Sequence, residues 1–189
     1  MEFVEPIRDK KKIEAMKKVL KGSNMRDYCL FVLGINSGLR ISDILNLRID
    51  DVVDVNRKLK ERIIIKEKKT GKPKDFPINE STGKAIREYL DTRLDYQMDE
   101  PLFISRKKGA PLQRTTAWTI LNQAAEMVGI KENIGTHTLR KTFGYHMYKK
   151  TKDVAKLQEI FNHSAPSITL RYIGISRDEQ DEAYLNFNL

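Results

Sequence analysis

Residues 29–43 read Cys-Leu-Phe-Val-Leu-Gly-Ile-Asn-Ser-Gly-Leu-Arg-Ile-Ser-Asp. The first seven are apolar on every face, which predicts a helix running through the core rather than along its surface. Ser23 or Asn24 can cap its start. Ser37-Gly38 ends it, with Gly38 as the left-handed residue past the last turn. Arg40 then falls at the start of a short helix over about 41–47. Free N–H groups and partial positive charge at a helix start suit a phosphate, and Asp43 can hold the guanidinium in place. Taken alone, an arginine near a helix start is more often a surface residue or a structural ion pair.

Upstream, Pro6 opens a helical pattern through 7–21, with Ile13, Met16, Val19 and Leu20 on its apolar face and Gly22 as its stop. Downstream, 62–67 (RIIIKE) and 74–78 (KDFPI) read as two strands joined by a lysine-rich turn around Thr70-Gly71. Pro77 places its strand at an edge. Helices are expected near 80–94, 114–128, 138–150, 153–161, 167–173 and 177–185, with an irregular loop over 99–113. The fold class is α+β, mostly α-helical, with one small antiparallel sheet. The 189 residues fit a single domain, and a hydrophobic fraction of 40% excludes a disordered or fibrous chain.

The single cysteine, Cys29, excludes an intramolecular disulfide framework and a multi-cysteine zinc site. Only three histidines are present (His137, His146 and His163), and no carboxylate cluster has ligand spacing. No metal and no cofactor are therefore expected, and a metal nuclease is disfavoured. No stretch reaches membrane-spanning length, and MEFVEPIRDKKK is not a signal peptide, so a cytoplasmic protein without a membrane partner is expected.

Charge is distributed unevenly. The formal net charge is +9, yet residues 57–74 hold nine basic and two acidic side chains, and residues 178–189 hold four acidic and none basic. A basic body with an acidic tail points to a polyanion, nucleic acid first. A solvated lysine-rich surface explains the charge alone equally well.

Two further segments carry chemistry. In His137-Thr138-Leu139-Arg140, residues three apart around a helix start can face the same way, placing a proton-transfer group beside a fixed cation. Asn162-His163-Ser164 precedes a turn, and Tyr172 follows His163 by nine residues on the next short helix. A tyrosine near arginines and histidines is a candidate nucleophile, but its ordinary pKa of about 10 means it needs help to attack.

Taken together, Arg40 in SGLRISDIL, His137 and Arg140 in HTLRKTFGYH, His163 in NHS and Tyr172 in ITLRYIG resemble the tyrosine recombinase (phage integrase) family. The resemblance covers the chain from Pro6 to about Arg177 and implies that family's catalytic domain. The hairpin KKTGKPKDFPI resembles the family's β-hairpin with its catalytic lysine, which counting back from Pro77-Ile78 places at Lys69; Lys68 and Lys72 are rivals. Asn162 stands where the family usually has Gly, and Asn is the next best residue for a left-handed helix end. Lys141 stands where many members have His. His146 matches no family position and is read as structural.

The resemblance implies site-specific cleavage and rejoining of double-stranded DNA through a 3′-phosphotyrosyl intermediate. In it Tyr172 attacks, Arg40 and Arg140 neutralise the phosphorane, His137 hydrogen-bonds a phosphate oxygen or takes the tyrosine's proton, His163 supports the phosphate by a hydrogen bond, and Lys69 protonates the leaving 5′-oxygen. It also implies a monomer that assembles as a homo-tetramer on DNA, with accessory DNA-bending proteins as further partners, and a bacterial or phage origin. Residues 1–189 are expected to form the catalytic domain alone, without the family's N-terminal core-binding domain. An acidic, apolar tail over about 178–189, with Tyr184, Leu185, Phe187 and Leu189, is expected to dock on a neighbouring protomer, with simple intramolecular packing as the alternative. A type IB topoisomerase, a telomere resolvase and a non-catalytic DNA-binding module are the alternatives.

Overall fold

The structure, a computed structural model, describes residues 4–105, 109–175 and 177–187. Its elements are α1 (Lys10–Ser23), α2 (Met25–Ser37), α3 (Ile41–Leu45), α4 (Ile49–Val52), β1 (Arg62–Lys66), β2 (Pro73–Pro77), α5 (Glu80–Asp91), α6 (Arg114–Met127), α7 (Thr138–Thr151), α8 (Val154–Phe161), α9 (Pro166–Tyr172) and α10 (Arg177–Leu185). The predicted α2 runs through the centre as its composition requires: Cys29 to Leu33 are at most 1% exposed. Helices α1, α5 and α7 pack around it.

The first helix starts later than expected. Asp9, not Pro6, caps it, its side chain accepting from the Lys11 N–H. Residues 4–8 instead form a strap across α7. Ile7 N–H donates to Thr142 Oγ1 (2.9 Å), Ile7 O contacts His146 Nε2 (2.9 Å), and Lys141 Nζ donates to Val4 O (2.7 Å). The strap's backbone thus finds side-chain partners, which gives His146 the structural role read for it. Gly22 lies inside α1, and Asn24 both ends α1 and caps α2 through Arg26 N–H. The short α4 was not foreseen. Residues 99–105 and 109–113 are less irregular than expected, because isolated bridges Arg48↔Pro101 and Ile104↔Pro111 tie them down over buried Leu102, Phe103 and Leu112; residues 106–108 of the expected loop lie outside the described residues.

The sheet is one antiparallel pair, with Ile63 opposite Phe76 and Arg62 opposite Pro77. Ile78 N–H donates to Glu61 O, so the backbone nitrogen of Pro77 faces away from the partner strand and Pro77 costs no ladder bond. A second, smaller apolar cluster of Leu157, Phe161, Ile173 and Ile175 joins α8 and α9 to Phe143 and Tyr145 of α7. The nucleophile candidate lies against this cluster, which therefore sets its position relative to the main core. Among the described residues no helix is long and apolar enough to cross a membrane.

Candidate active site

Arg40 leaves the backbone two residues after Gly38, whose φ of 64° is the left-handed conformation predicted for the end of α2. Two buried carboxylates face its guanidinium. Nη1 lies 2.8 Å from Glu67 Oε1 and 4.0 Å from Asp43 Oδ2. The close pair with Glu67 holds the arginine, and Asp43 stands as a second, more distant carboxylate.

Arg140, on the first turn of α7, is 2% exposed. Its Nη1 donates to Gly38 O (2.6 Å), its Nη2 to Phe161 O (2.8 Å), and its Cζ lies 4.4 Å from the Phe161 ring centroid. Two backbone carbonyls and an aromatic face fix the guanidinium. Burial pushes its pKa down, but a guanidinium stays charged at neutral pH.

His137 precedes α7, with Nδ1 3.3 Å from Tyr172 Oη. Partial burial and the cations Arg114, Lys141, Arg140 and Arg40 hold its pKa below the usual value, so the ring is mainly neutral at pH 7 and can accept the tyrosine proton. His163 contacts Thr169 Oγ1 through Nδ1 (3.0 Å), which orients the ring. Burial and the two arginines also lower its pKa. Its ring stands edge-on to Tyr172, centroids 5.2 Å apart. Asn162 takes φ 55° at the end of α8, the left-handed turn expected of Asn in place of Gly.

Tyr172 ends α9. Burial raises its pKa, and Arg140 and Arg40 pull it back; the cations that would receive a phosphate also favour the phenolate. Lys141 Nζ lies 5.3 Å from its ring centroid. Arg40, Arg140, His137, His163 and Tyr172 are thus brought together in one pocket.

The hairpin lysines divide. Lys69 is exposed in the turn. Its neighbours are anchored: Lys68 N–H donates to Asp43 Oδ1 (2.9 Å), and Lys72 Nζ donates to Asn162 Oδ1 (3.3 Å). Lys74 turns inward and donates to Ile160 O. Burial first, then Arg140, lowers its pKa.

Glu67, Lys74 and Arg114 were missed in the sequence. Alternation could have found the first two. Ile63, Ile65 and Glu67 share one face of the first strand, and Lys74 and Phe76 share one face of the second. Arg114 bonds Thr136 Oγ1 at 3.0 Å next to His137; no local signal marks it.

The model of the phage integrase family matches residues 8–179. The chain belongs to that family, the tyrosine recombinases, whose chemistry is site-specific DNA cleavage and rejoining. It is similar to the probable integrase/recombinase YoeC of Bacillus subtilis, at 49% identity over 99% of this chain and 98% of that one. It is also 32% identical to tyrosine recombinase XerD of Corynebacterium glutamicum, over 85% of this chain but 52% of that protein. The chain therefore spans nearly all of the first relative and about half of the second. Among solved structures, a XerA recombinase shares the fold with a TM-score of 0.78 at 21% identity, covering 99% of this chain and 68% of that one. A XerH recombinase bound to its difH substrate after cleavage gives 0.75 at 20% identity, covering 96% and 53%.

Proposed function

We propose that this recombinase domain cleaves one strand of duplex DNA with Tyr172 and reseals it to a partner strand. The observation that carries the assignment is the 3.3 Å approach of Tyr172 Oη to the neutral His137, in the pocket that holds both arginines. Tyr172 Oη attacks the phosphorus as His137 Nδ1 takes its proton. The bond to the 5′-oxygen breaks, and Lys69, carried to the minor groove by the hairpin, gives that oxygen a proton. The chain is left with a 3′-phosphotyrosyl bond. A 5′-hydroxyl from the partner strand reverses the step, so the bond energy is conserved without a nucleotide cofactor. Arg40 and Arg140 stabilise charge building on the non-bridging oxygens, a role in which loss of one donor costs about 10²–10³ in rate. His163, oriented by Thr169, hydrogen-bonds the phosphate.

Nucleophile and arginines lie in one chain, which supports cleavage in cis. The partner is double-stranded DNA, met by the nine basic residues of 57–74 mainly through its phosphates. Rejoining to a second duplex requires several copies, and we assign a tetramer on DNA and a monomer in solution. The exposed tail of α10 supports exchange between them: Tyr184, Leu185 and Phe187 are 82%, 81% and 68% exposed. Leu189 of that tail lies outside the described residues. A cytoplasmic location and one catalytic domain over 1–189 complete the reading.

The test is covalent trapping on a nicked suicide duplex. The wild-type chain should form a protein–DNA adduct, and Tyr172→Phe should bind the same duplex without one. Adduct formation by the variant overturns the assignment.

A further inference from the structure

Glu67 is a carboxylate 1% exposed to solvent in a pocket built to receive an anion. Its charge weakens the local attraction for a phosphate, so it does not serve DNA affinity. Its contacts show what it serves. Oε1 faces Arg40 Nη1 at 2.8 Å, and Oε2 accepts from Thr70 Oγ1 at 2.6 Å. Its backbone closes the turn from both sides: Gly71 N–H donates to Glu67 O (2.8 Å), and Glu67 N–H donates to Lys72 O (2.9 Å). Asp43 adds a second tie through Lys68 N–H, and itself lies beside Arg40. Lys69 is thus bracketed. The residue before it is tied through Asp43 and the residue after it through Glu67, both carboxylates lying beside Arg40, while the side chain of Lys69 is exposed.

We propose that Glu67 is a positioning residue that ties the lysine-bearing turn to Arg40 and so fixes the distance between the group serving the non-bridging oxygens and the group serving the leaving 5′-oxygen. The proposal rests on the reading of Lys69 as general acid. Two buried carboxylates set against one arginine carry a desolvation cost that their ion pairs only partly offset, an expensive arrangement for a fold alone. A joint between two reacting groups accounts for it.

The experiment compares cleavage of an ordinary strand with cleavage of one whose bridging 5′-oxygen is sulfur. A thiolate leaves without a proton, because a thiol's pKa is near 8.5, so the turn's placement no longer matters. Glu67→Gln keeps the side chain's size and a carbonyl acceptor for Thr70 but removes the charge that grips Arg40. On ordinary DNA it should cleave about 10- to 100-fold more slowly, approaching the roughly 10²-fold cost of a 1 Å misplacement of a reacting group. On the sulfur strand it should cleave near the wild-type rate. Thr70→Val, which leaves the Arg40 pair intact, should show a smaller defect that sulfur also removes, and it decides the matter if Glu67→Gln does not fold. Equal defects on both strands would overturn the proposal, placing Glu67's action on Arg40 or on folding. So would the absence of any defect. Rescue of Lys69→Ala without rescue of Glu67→Gln overturns this inference alone; failure of both overturns the role of Lys69 as well.

Discussion

Gly144 of α7 packs against Phe161 and against Ile173, the residue that follows the nucleophile. A Cβ built there would lie 2.6 Å from Ile173 Cγ2 and 2.7 and 2.8 Å from Cζ and Cε2 of Phe161. Carbon atoms in contact sit about 3.5–4.0 Å apart, so Gly144→Ala must drive α9 and the Phe161 ring about 1 Å from α7. Overpacking of this kind costs about 1–3 kcal/mol. For a domain of this size a 2 kcal/mol loss lowers Tm by about 4–8 °C. The catalytic cost should be larger than the stability cost suggests. Ile173 is the neighbour of Tyr172, and Phe161 carries the Arg140 guanidinium on its face and Tyr172 on its edge, 5.6 Å between ring centroids. A 1 Å misplacement of reacting groups costs about 10²-fold in rate. Thermal unfolding and single-turnover cleavage of a suicide duplex, with DNA affinity measured alongside, separate the two effects. A variant with the expected Tm loss but wild-type cleavage would refute the claim that this contact holds the nucleophile.

Three other outcomes are expected. Burial and neighbouring cations hold the pKa values of His137 and His163 below the usual 6.5; the unfolded chain therefore takes up protons first on acidification. Stability should fall as pH drops from about 6.5 toward the depressed folded values, and His137→Gln with His163→Gln should flatten that limb in urea titrations run at several pH values. Cleavage should proceed in excess EDTA because arginines supply the positive charge; a strict requirement for added Mg²⁺ in the cleavage step would contradict this. Deleting residues 180–189 should leave single-site cleavage intact and abolish the paired complex seen on native gels, and unchanged pairing would rule out exchange of the tail.

Much of this site could be read from local sequence because the decisive features are local. An all-apolar α2 followed by Ser37-Gly38 fixes where Arg40 emerges. Asn162 announces its own left-handed turn. The first helix was misplaced because Pro6 and Asp9 both suit a helix start, and the choice was made 135 residues away by Thr142, which captures the Ile7 N–H. Glu67 and Lys74 were hidden for a related reason. In a segment crowded with charge, composition says only that most side chains face water; which two turn inward depends on Arg40 and on the carbonyl of Ile160. Arg114 reaches His137's surroundings through Thr136, a contact set by how α6 meets α7 and not by spacing along the chain.

The central claim is that Tyr172 becomes covalently bonded to DNA. Digesting the trapped adduct with trypsin and nuclease, then sequencing the modified peptide by mass spectrometry, tests it most directly. The modification should map to Tyr172 as a phosphate ester of a 3′-nucleotide, with a free 5′-hydroxyl on the released strand. An adduct on Tyr148 or Tyr184, or a 5′-phosphate on the released strand, would contradict the account.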